Sequence, residues 1–503
     1  MPLPRVVHVI RQIAAGGSSQ AALLAARFTP GVQPTLVSLL PAAEPDVSAA
    51  REARMELISA PDSGQLHVML AEADLVHIHF WNNPDLYRLM RGAWPPARVL
   101  VWSTVAGQHP PQIIPPQMVA WADAIAVTSP ISLELPALAG APQGSVHLVS
   151  ASANASALAA ISRQPHEGFN VGYLGTVDFA KLHPDFVALC AGVNVPGVRF
   201  LVAGLGGAYD QLRQQAHALG VAERFELRGF VKSVGAYLAG LDVFGYPLAI
   251  GNYATSELAL QEALLIGVPP VVFDQPSMRH VVQHKHTGLL VATASEYCRA
   301  IEYLYHQPTE RARLSANARA YGQQHVSPAR MGEQFAEIYA ELLRRPKRVR
   351  TWPVGVEAGP WMAAAAFVDS LGGAAPQYEI SLQSEGEAAL RADQVIEQSD
   401  HLMTAPASGG MMDWRRCYPN DAWLRVWAGL ALLGQGRPAL ALAEFHLARR
   451  LGLNLWRVDW HMVRAARACS ATEVAEAALA RVRAAAPDFT PAHALDAAPG
   501  SGP

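Results

Sequence analysis

Short apolar runs alternate with amphipathic helical patterns along residues 1–160. The apolar runs predict β-strands, and the first helix is predicted over Gln20–Phe28, after a glycine-rich turn at residues 16–19. Strands that alternate with helices are typical of a parallel sheet covered by helices on both faces. The predicted strands are Arg5–Ile10, Thr35–Leu40, Leu75–Phe80, Arg98–Trp102 and Ala124–Thr128.

The same alternation restarts after a polar break at residues 162–168. It predicts a second doubly wound unit, with a helix from about His183 and another over Tyr209–Leu219. Two further helices, at residues 309–324 and 328–343, end this part of the chain. The predicted strands are Asn170–Leu174, Val198–Ala203, Phe225–Leu227, Val243–Tyr246 and Val271–Phe273.

The remainder of the chain has a different pattern. Residues 346–415 are rich in Gly, Ala, Pro and Ser, and we interpret them as a linker or small adaptor region. From residue 416 the spacing of small and aromatic residues is typical of tetratricopeptide-like helices, in which small residues lie where two helices touch. The residues with this spacing are Gly429, Gly436, Ala441, Phe445 and Ala448. The predicted domains are residues 1–165, 166–345, 346–415 and 416–490, with a disordered tail at 491–503.

Composition narrows the class of protein. The 503 residues are 51% hydrophobic and 16% charged, which is typical of a globular chain with large cores. The net charge of −3 gives no electrostatic reason to expect nucleic acid as a partner. Four widely spaced cysteines and the lack of a signal-peptide pattern at the start favour a cytoplasmic location. No apolar run reaches the roughly 20 residues that span a bilayer, and peripheral membrane contact stays open.

The segment that begins at Gly251 carries the first chemical signal. It reads as a loop, a helix that ends at Gly267 and a short apolar strand, with Thr255 or Ser256 as the helix cap. Free backbone N–H groups at a helix start bind phosphate, and a carboxylate one turn later, at Glu262, suits the hydroxyls of a ribose. The segment therefore indicates a nucleotide-sugar site, although an ordinary capped αβ unit has the same pattern.

Motifs in the second unit follow one another in an order that resembles a known family. They are Gly172–Gly175 with Lys181, Phe200–Gly207, Arg228–Val231, Asp242–Phe244 with Pro247, Gln261–Ala263 with Gly267–Pro269, and His286–Leu290. Together they resemble the nucleotide-binding half of the retaining family-4 glycosyltransferases. Two doubly wound units that face a cleft, closed by C-terminal helices, resemble the GT-B fold of that family. The fold class we expect is therefore α/β, with a C-terminal helical-repeat segment.

The resemblance implies a role for each matching residue. Lys181 is expected to bind the diphosphate, and Glu262 the ribose. The backbone at Thr255, Ser256 and Glu257 is expected to hold the distal phosphate. The remaining expected donor-binding residues are Gly16, Gly17, Gly175, Gly204, Gly206, Phe230 and Val231.

The chain departs from the family pattern at three positions. Ala254 stands where the family usually has a glutamate eight residues before Glu262, and Thr176 stands where it has a phosphate-binding arginine. Thr104 stands in place of a histidine, with His109 a few residues further on. Glu257 is a candidate for the missing acid or for a contact to the sugar, because residues 253–257 resemble a loop variant found in some branches of the family.

A pair of histidines marks the end of a strand in the first half. His77 and His79 lie on the same face of the predicted strand Leu75–Phe80, as a metal-binding pair would. With no third ligand evident in the sequence, we predict no metal site. We interpret His79 as a candidate catalytic residue, together with Glu257, Thr104 and His109.

These observations predict a metal-independent hexosyltransferase without a cofactor. Its donor is a UDP-, GDP- or ADP-sugar, and its acceptor is a glycan, a lipid-linked or a protein hydroxyl. Residues 416–490 are a candidate surface for a protein partner. The alternatives are a GT-B scaffold that binds a nucleotide or partner without turnover, a protein glycosyltransferase whose helical repeats recruit the acceptor, and an epimerase acting on a nucleotide sugar.

Overall fold

The computed structural model describes residues 2–14, 16–43, 46–52, 55–353 and 361–494. They form two compact units. The first unit contains the described residues up to Trp81 together with Arg88–Pro353. The second contains Asn82–Tyr87 and the described residues from 361 onward. Within the described ranges, no helix combines the length and the apolar character needed to cross a membrane. The cytoplasmic location stays a prediction.

The first unit contains two parallel sheets. The seven-stranded sheet has the order β3-β2-β1-β4-β5-β8-β9, the six-stranded sheet has the order β12-β11-β10-β13-β14-β15, and β6 and β7 form a small antiparallel pair. The strands are β1 Arg5–Ile10, β2 Gln33–Ser38, β3 Glu56–Ser59, β4 Leu75–Phe80, β5 Val99–Ser103, β6 Gln108–His109, β7 Gln112–Ile113, β8 Ala124–Val127, β9 Val146–Leu148, β10 Phe169–Leu174, β11 Val198–Ala203, β12 Phe225–Gly229, β13 Val243–Tyr246, β14 Pro270–Phe273 and β15 Leu289–Val291.

Helices connect these strands and cover both faces of each sheet. Every residue of β4 and β5 is buried, because a parallel sheet packed on both sides needs continuous apolar strands rather than alternating ones. The helices up to residue 343 are α1 Gly17–Phe28, α2 Asp46–Glu52, α3 Ser63–Glu72, α4 Pro84–Arg91, α5 Pro116–Trp121, α6 Pro136–Ala139, α7 Ala155–Leu158, α8 Phe186–Ala191, α9 Tyr209–Ala218, α10 Val234–Ala239, α11 Leu258–Ile266, α12 Ala294–His306, α13 Pro308–His325 and α14 Pro328–Leu343. The predicted fold class, two doubly wound α/β halves, is confirmed.

The last helix of this unit joins the two halves. Helix α14 follows the second sheet in sequence, yet its buried residues Phe335 and Tyr339 pack with Val6, Leu75 and Trp102 of the first sheet. The core of the first half therefore includes side chains from the end of the second half, and the two halves share apolar packing as well as chain connections.

Some element boundaries differ from the predicted ones for local reasons. Helix α1 begins at Gly17 instead of Gln20, after Gly16 at φ 148°. The helix expected from His183 begins at Phe186, because a residue that precedes a proline disfavours the helical region. Helix α12 was not predicted, although Thr293 caps it and Glu296 accepts a hydrogen bond from the Ala292 N–H, which is a recognisable start signal.

The second unit is helical throughout its described part. Residues 346–415 differ from the predicted linker, because from 361 onward they fold into five helices; residues 354–360 lie outside the described part. Its helices are α15 Met362–Ser370, α16 Pro376–Gln383, α17 Gly386–Glu397, α18 His401–Thr404, α19 Met411–Cys417, α20 Ala422–Gly434, α21 Pro438–Arg450, α22 Trp456–Ala468, α23 Thr472–Ala485 and α24 Thr490–Ala494.

The tetratricopeptide-like spacing has a packing counterpart between α20 and α21. A methyl group at Gly429 would lie 2.5 Å from the ring of Phe445, so only glycine lets these helices approach this closely. The helices of this region are confirmed, whereas the repeat type stays a prediction. Of the tail predicted to be disordered, residues 495–503 lie outside the described part, and Thr490–Ala494 form α24.

A buried polar network holds the second unit together. The Asp393 carboxylate, which is fully buried, accepts hydrogen bonds from Ser381 and Arg457 and lies 2.9 Å from His461 Nε2. Trp427 Nε1 donates to Ser381 Oγ at 3.0 Å. The Asp393 carboxylate of α17 thus links α16 and α22, and Ser381 extends the network to Trp427 of α20.

We expect Asp393→Ala to destabilise the second unit by about 3–5 kcal/mol, since it leaves the buried Arg457 guanidinium without its counter-charge. Urea unfolding followed by circular dichroism measures the change. The control is Glu387→Ala, which breaks an exposed ion pair with Arg391 and should cost less than about 1 kcal/mol. Equal effects of the two substitutions would contradict the role assigned to the network.

Candidate functional site

A cavity of about 480 Å³ lies within the first unit, where strands of both sheets end. Three residues that line the cavity come directly after strands: Trp81 after β4, Thr104 after β5 and Gly175 after β10. Gly204 directly follows β11, Phe230 directly follows β12, and both also line the cavity. In doubly wound folds, ligands bind at the carboxyl ends of the strands, and this volume is in the range of small-molecule sites.

Most of the residues predicted to bind the donor line this one cavity, and so does one predicted catalytic residue, Thr104. They come from both halves of the unit, although the chain separates them by up to 246 positions (262 − 16). The predicted residues in the lining are Gly16, Gly17, Thr104, Gly175, Lys181, Gly204, Phe230, Val231, Thr255, Ser256, Glu257 and Glu262.

His79, His109 and Gly206 are not among the residues that line the cavity. His109 is exposed in β6, and His79 is buried inside the first sheet. Gly206 supports the site indirectly: a methyl group there would lie 2.1 Å from the Val177 carbonyl oxygen. Gly204 has φ 138° and would place a methyl 1.7 Å from the Gly175 carbonyl, so both glycines permit close approach of two loops.

Lys181 and Glu257 form an ion pair in the cavity wall. Lys181 Nζ lies 3.0 Å from Glu257 Oε2, and the Tyr246 hydroxyl donates to the same oxygen at 2.5 Å. Burial alone would lower the pKa of Lys181, but the charges of Glu257 and Tyr253 and the hydrogen bond to Glu257 outweigh it and raise that pKa. The lysine is therefore a cation at neutral pH, with its remaining N–H donors available to a ligand.

Helix α11 begins at the cavity with an unusual residue. Its N-cap is Glu257, at φ 37°, and no side chain caps the helix. Thr255 or Ser256 was predicted to be the cap, and this is wrong, since both hydroxyls bond elsewhere. Thr255 Oγ1 donates to the Thr104 carbonyl at 3.4 Å, and Ser256 Oγ donates to the Thr128 carbonyl at 3.0 Å.

The consequence is an open helix start. Among the residues that the structure describes, the backbone N–H groups of residues 255–259 have no backbone or side-chain acceptor, and all five residues line the cavity. Unsatisfied N–H groups and the positive end of the helix dipole together attract an anion. The site thus combines a lysine cation with an uncapped helix start. The sequence predicted a lysine beside a helix start, although with Thr255 or Ser256 as the helix cap.

Glu262 lies one turn into α11 and is nearly buried, with 7% of its surface exposed. Burial raises its pKa from 4.5 to about 7, and a hydrogen bond with Gln20 partly opposes this effect. A carboxylate this poorly hydrated gains when ligand hydroxyls replace the missing water. Glu262 lines the same cavity as Lys181.

Two aromatic residues of the cavity, Trp81 and Tyr253, were not among the predicted site residues. Trp81 follows β4 and packs against Tyr253, with ring centroids 4.8 Å apart. The signal in the sequence was the position of Trp81 directly after a buried strand, where cavity residues of this fold lie. Phe230, at the end of β12, is 46% exposed in the cavity and offers a face on which a planar base can stack.

The histidines of β4 belong to a cluster of three. The expectation that no third histidine accompanies them is wrong, because His8 of β1 lies opposite His77 in the strand register. His8 Nδ1 lies 3.0 Å from His79 Nε2, and His77 Nδ1 lies 2.6 Å from the Tyr339 hydroxyl. All three imidazoles are buried, and burial lowers the pKa of each, that of His8 to about 3.

One buried nitrogen of each ring, His8 Nε2, His77 Nε2 and His79 Nδ1, has no hydrogen-bond partner among the described residues. The orientation of the rings nevertheless does not fit chelation by His77 and His79 together. A metal bound to two imidazoles lies in the plane of both rings, yet the rings of His77 and His79 stack 4.3 Å apart at only 16°. The candidate ligand atoms of the three residues all lie within 4.8 Å of one another, so the argument against a shared ion is the ring orientation alone. We therefore interpret the cluster as neutral imidazoles packed beneath α14.

Residues 156–321 match the family described as Glycosyl transferases group 1. The matched stretch spans the second sheet and the helices around it. The match leaves out the first sheet and the helical second unit.

One curated relative shares sequence with part of the chain. The 2-deoxystreptamine N-acetyl-D-glucosaminyltransferase of Streptomyces fradiae is 33% identical over 127 residues, which cover 24% of this chain. The chain matches only 30% of the length of that relative.

Solved structures share the fold at low identity. Anabaena HepE in complex with UDP and glucose has a TM-score of 0.56 at 16% identity, covering 67% of this chain and 100% of its own. A Rickettsia africae glycosyltransferase has a TM-score of 0.55 at 12% identity, covering 69% and 100%. Sucrose-phosphate synthase of Thermosynechococcus elongatus has 0.52 at 16%, covering 68% and 99%. At these identities the likeness shows the GT-B fold alone.

We expect Glu262→Gln to stabilise the protein at pH 8 by about 3 kcal/mol, with the difference vanishing near pH 4. The folded state keeps the Glu262 proton up to pH about 7, whereas an unfolded chain loses it near 4.5. The free energy of unfolding therefore decreases as pH rises from 4.5 to about 7, and Glu262→Gln removes this decrease. Urea unfolding at several pH values measures it, and a pH-independent difference would contradict the burial effect.

The histidine cluster predicts that the free energy of unfolding decreases as pH falls below neutrality, which is opposite in sign to the effect of Glu262. The unfolded chain binds protons at its histidines below pH 6.5, while buried His8 stays neutral until pH about 3, so stability falls as pH falls. We expect His8→Leu to reduce this loss by about 2–3 kcal/mol between pH 6.5 and 4.5. The exposed His67→Leu is the control and should leave the slope unchanged. Parallel slopes for the His8 variant and the unsubstituted protein would contradict the prediction.

Proposed function

We propose that this protein is a glycosyltransferase that moves a sugar from a nucleoside diphosphate sugar to an acceptor hydroxyl with retention. The observation that carries the proposal is the grouping of Lys181, the open N–H groups of residues 255–259 and Glu262 in one cavity. A cation with a helix start suits a pyrophosphate, and a carboxylate one turn further suits a ribose diol. The family match over the same half of the chain supports it.

In the proposed reaction, the acceptor oxygen bonds to the anomeric carbon while the bond from that carbon to the distal phosphate oxygen breaks. The acceptor proton passes to the departing diphosphate. Lys181 and the start of α11 stabilise the charge that develops on the diphosphate, and they take the place of a divalent metal. Retention and the choice of diphosphate as base come from the resemblance to family-4 enzymes.

The comparisons favour a UDP-sugar as the first donor to test. HepE structures contain UDP with glucose, and the Streptomyces relative is named for transfer of N-acetylglucosamine to 2-deoxystreptamine. GDP- and ADP-sugars remain in the donor panel. The acceptor panel contains a glycan, a lipid-linked sugar, a protein and an aminocyclitol. A protein acceptor would engage the helical second unit, and a lipid-linked one would involve peripheral membrane contact.

A second candidate function is nucleotide binding without turnover. Two observations favour it: Ala254 stands in place of a family glutamate, and Glu257 already pairs with the lysine proposed to bind phosphate. Release of nucleoside diphosphate from the donor panel separates the two functions. Slow release from one donor supports the enzyme, whereas tight nucleotide binding with no release from any donor, with every acceptor present, supports the scaffold.

We expect Lys181→Ala to lower kcat/KM for the active donor by about 100- to 1,000-fold, because it removes the cation that faces the departing diphosphate. Glu262→Ala should cost about 10- to 100-fold, the loss of charged hydrogen bonds to ribose. The control is Lys347→Ala, a half-buried lysine that bonds to the Ala71 carbonyl outside the cavity lining. Unchanged turnover in both cavity variants would contradict the proposed site.

A further inference from the structure

Glu257 is the most constrained side chain of the cavity. A non-glycine residue at φ 37° is strained and persists only where its surroundings hold it. The residue is 8% exposed and stands at the N-cap of α11, the point where the backbone turns from the loop into the helix. The strain therefore serves to direct this carboxylate towards a defined position.

That position is set by two donors on one oxygen. Oε2 accepts from Lys181 Nζ at 3.0 Å and from the Tyr246 hydroxyl at 2.5 Å. Tyr246 is fully buried in β13 and stacks on Tyr173 with ring centroids 5.3 Å apart, so its hydroxyl cannot follow a moving partner. The tyrosine thus anchors the carboxylate, and the carboxylate anchors the lysine.

Lys181 needs such an anchor for an electrostatic reason. Its side chain is 13% exposed and lies beside the rings of Tyr246 and Tyr253, at 5.8 and 5.7 Å from their centroids. Burial of an ammonium group favours its neutral form, and a nearby carboxylate restores the charge. Besides Glu257, the titratable groups that face this pocket wall are Tyr246, Tyr253, Tyr173 and Asp178.

We propose that Glu257 is a positioning residue that holds the Lys181 ammonium charged at the cavity wall, instead of a group that reacts with the sugar. The inference rests on the proposed function and deepens it. The phosphate charge is met by the N–H groups at the start of α11 together with the charged Lys181 ammonium, which keeps N–H donors beyond the one that bonds to Glu257. Tyr246 influences Lys181 indirectly, because its hydroxyl holds the Glu257 carboxylate in place.

The test measures UDP binding by calorimetry between pH 7 and 10.5 for the unsubstituted protein, Glu257→Gln and Tyr246→Phe. Without the carboxylate, Lys181 loses its proton at a lower pH. We expect the alkaline loss of UDP affinity to begin at least one pH unit lower in Glu257→Gln, with affinity about tenfold weaker at pH 9. Tyr246→Phe keeps the carboxylate but removes the hydroxyl that anchors it, so the alkaline loss of affinity should move in the same direction by less than in Glu257→Gln. Thermal unfolding confirms that each variant is folded.

Three outcomes would overturn the inference. UDP affinity equal to that of the unsubstituted protein at every pH would show that Lys181 does not need Glu257. Tighter binding by Glu257→Gln would show that the carboxylate competes with phosphate. A loss confined to kcat, with affinity intact, would assign Glu257 to the reacting sugar. Failure of the unsubstituted protein to bind UDP, GDP or ADP is a separate result, which contradicts the proposed function itself.

Discussion

The buried ion pair between Lys181 and Glu257 is the contact on which the cavity depends. Glu257 reaches the lysine only from a left-handed backbone conformation, and that conformation also sets where α11 begins. Because the N-cap carboxylate is turned towards Lys181, it does not fold back onto its own helix, and the first N–H groups stay open. One strained residue thus places a cation and a helix start at the same wall.

The start of α11 is also held by the opposite half of the unit. Gln261 Nε2 donates to the Ala151 carbonyl at 2.8 Å and its Oε1 accepts from the Ala153 N–H at 2.9 Å. Ser256 Oγ accepts from the Ala151 N–H and donates to the Thr128 carbonyl. A helix start proposed to bind phosphate is therefore fixed by the first half of the unit, and any shift between the halves would move the open N–H groups.

The fold and much of the cavity could be predicted because both depend on local patterns. Apolar runs marked the strands, and residues directly after strand ends, such as Gly175 and Gly204, follow from parallel topology alone. The histidine cluster could not be predicted, because His8 and His77 meet through strand register at a separation of 69 positions (77 − 8). The helices between residues 361 and 415 were missed because their contacts are with one another, which weakens the helical period within each one.

Burial of Glu262 adds a consequence for any nucleotide in this site. With a pKa of about 7, the carboxyl is part protonated at neutral pH, and only the ionised form accepts two hydroxyl hydrogen bonds. A bound diol would favour the ionised form and so release a proton, while Gln20 of α1 already favours it from the first half. Ribose binding in the proposed site is therefore linked to pH through a single residue on α11, independently of the lysine that would meet the phosphates.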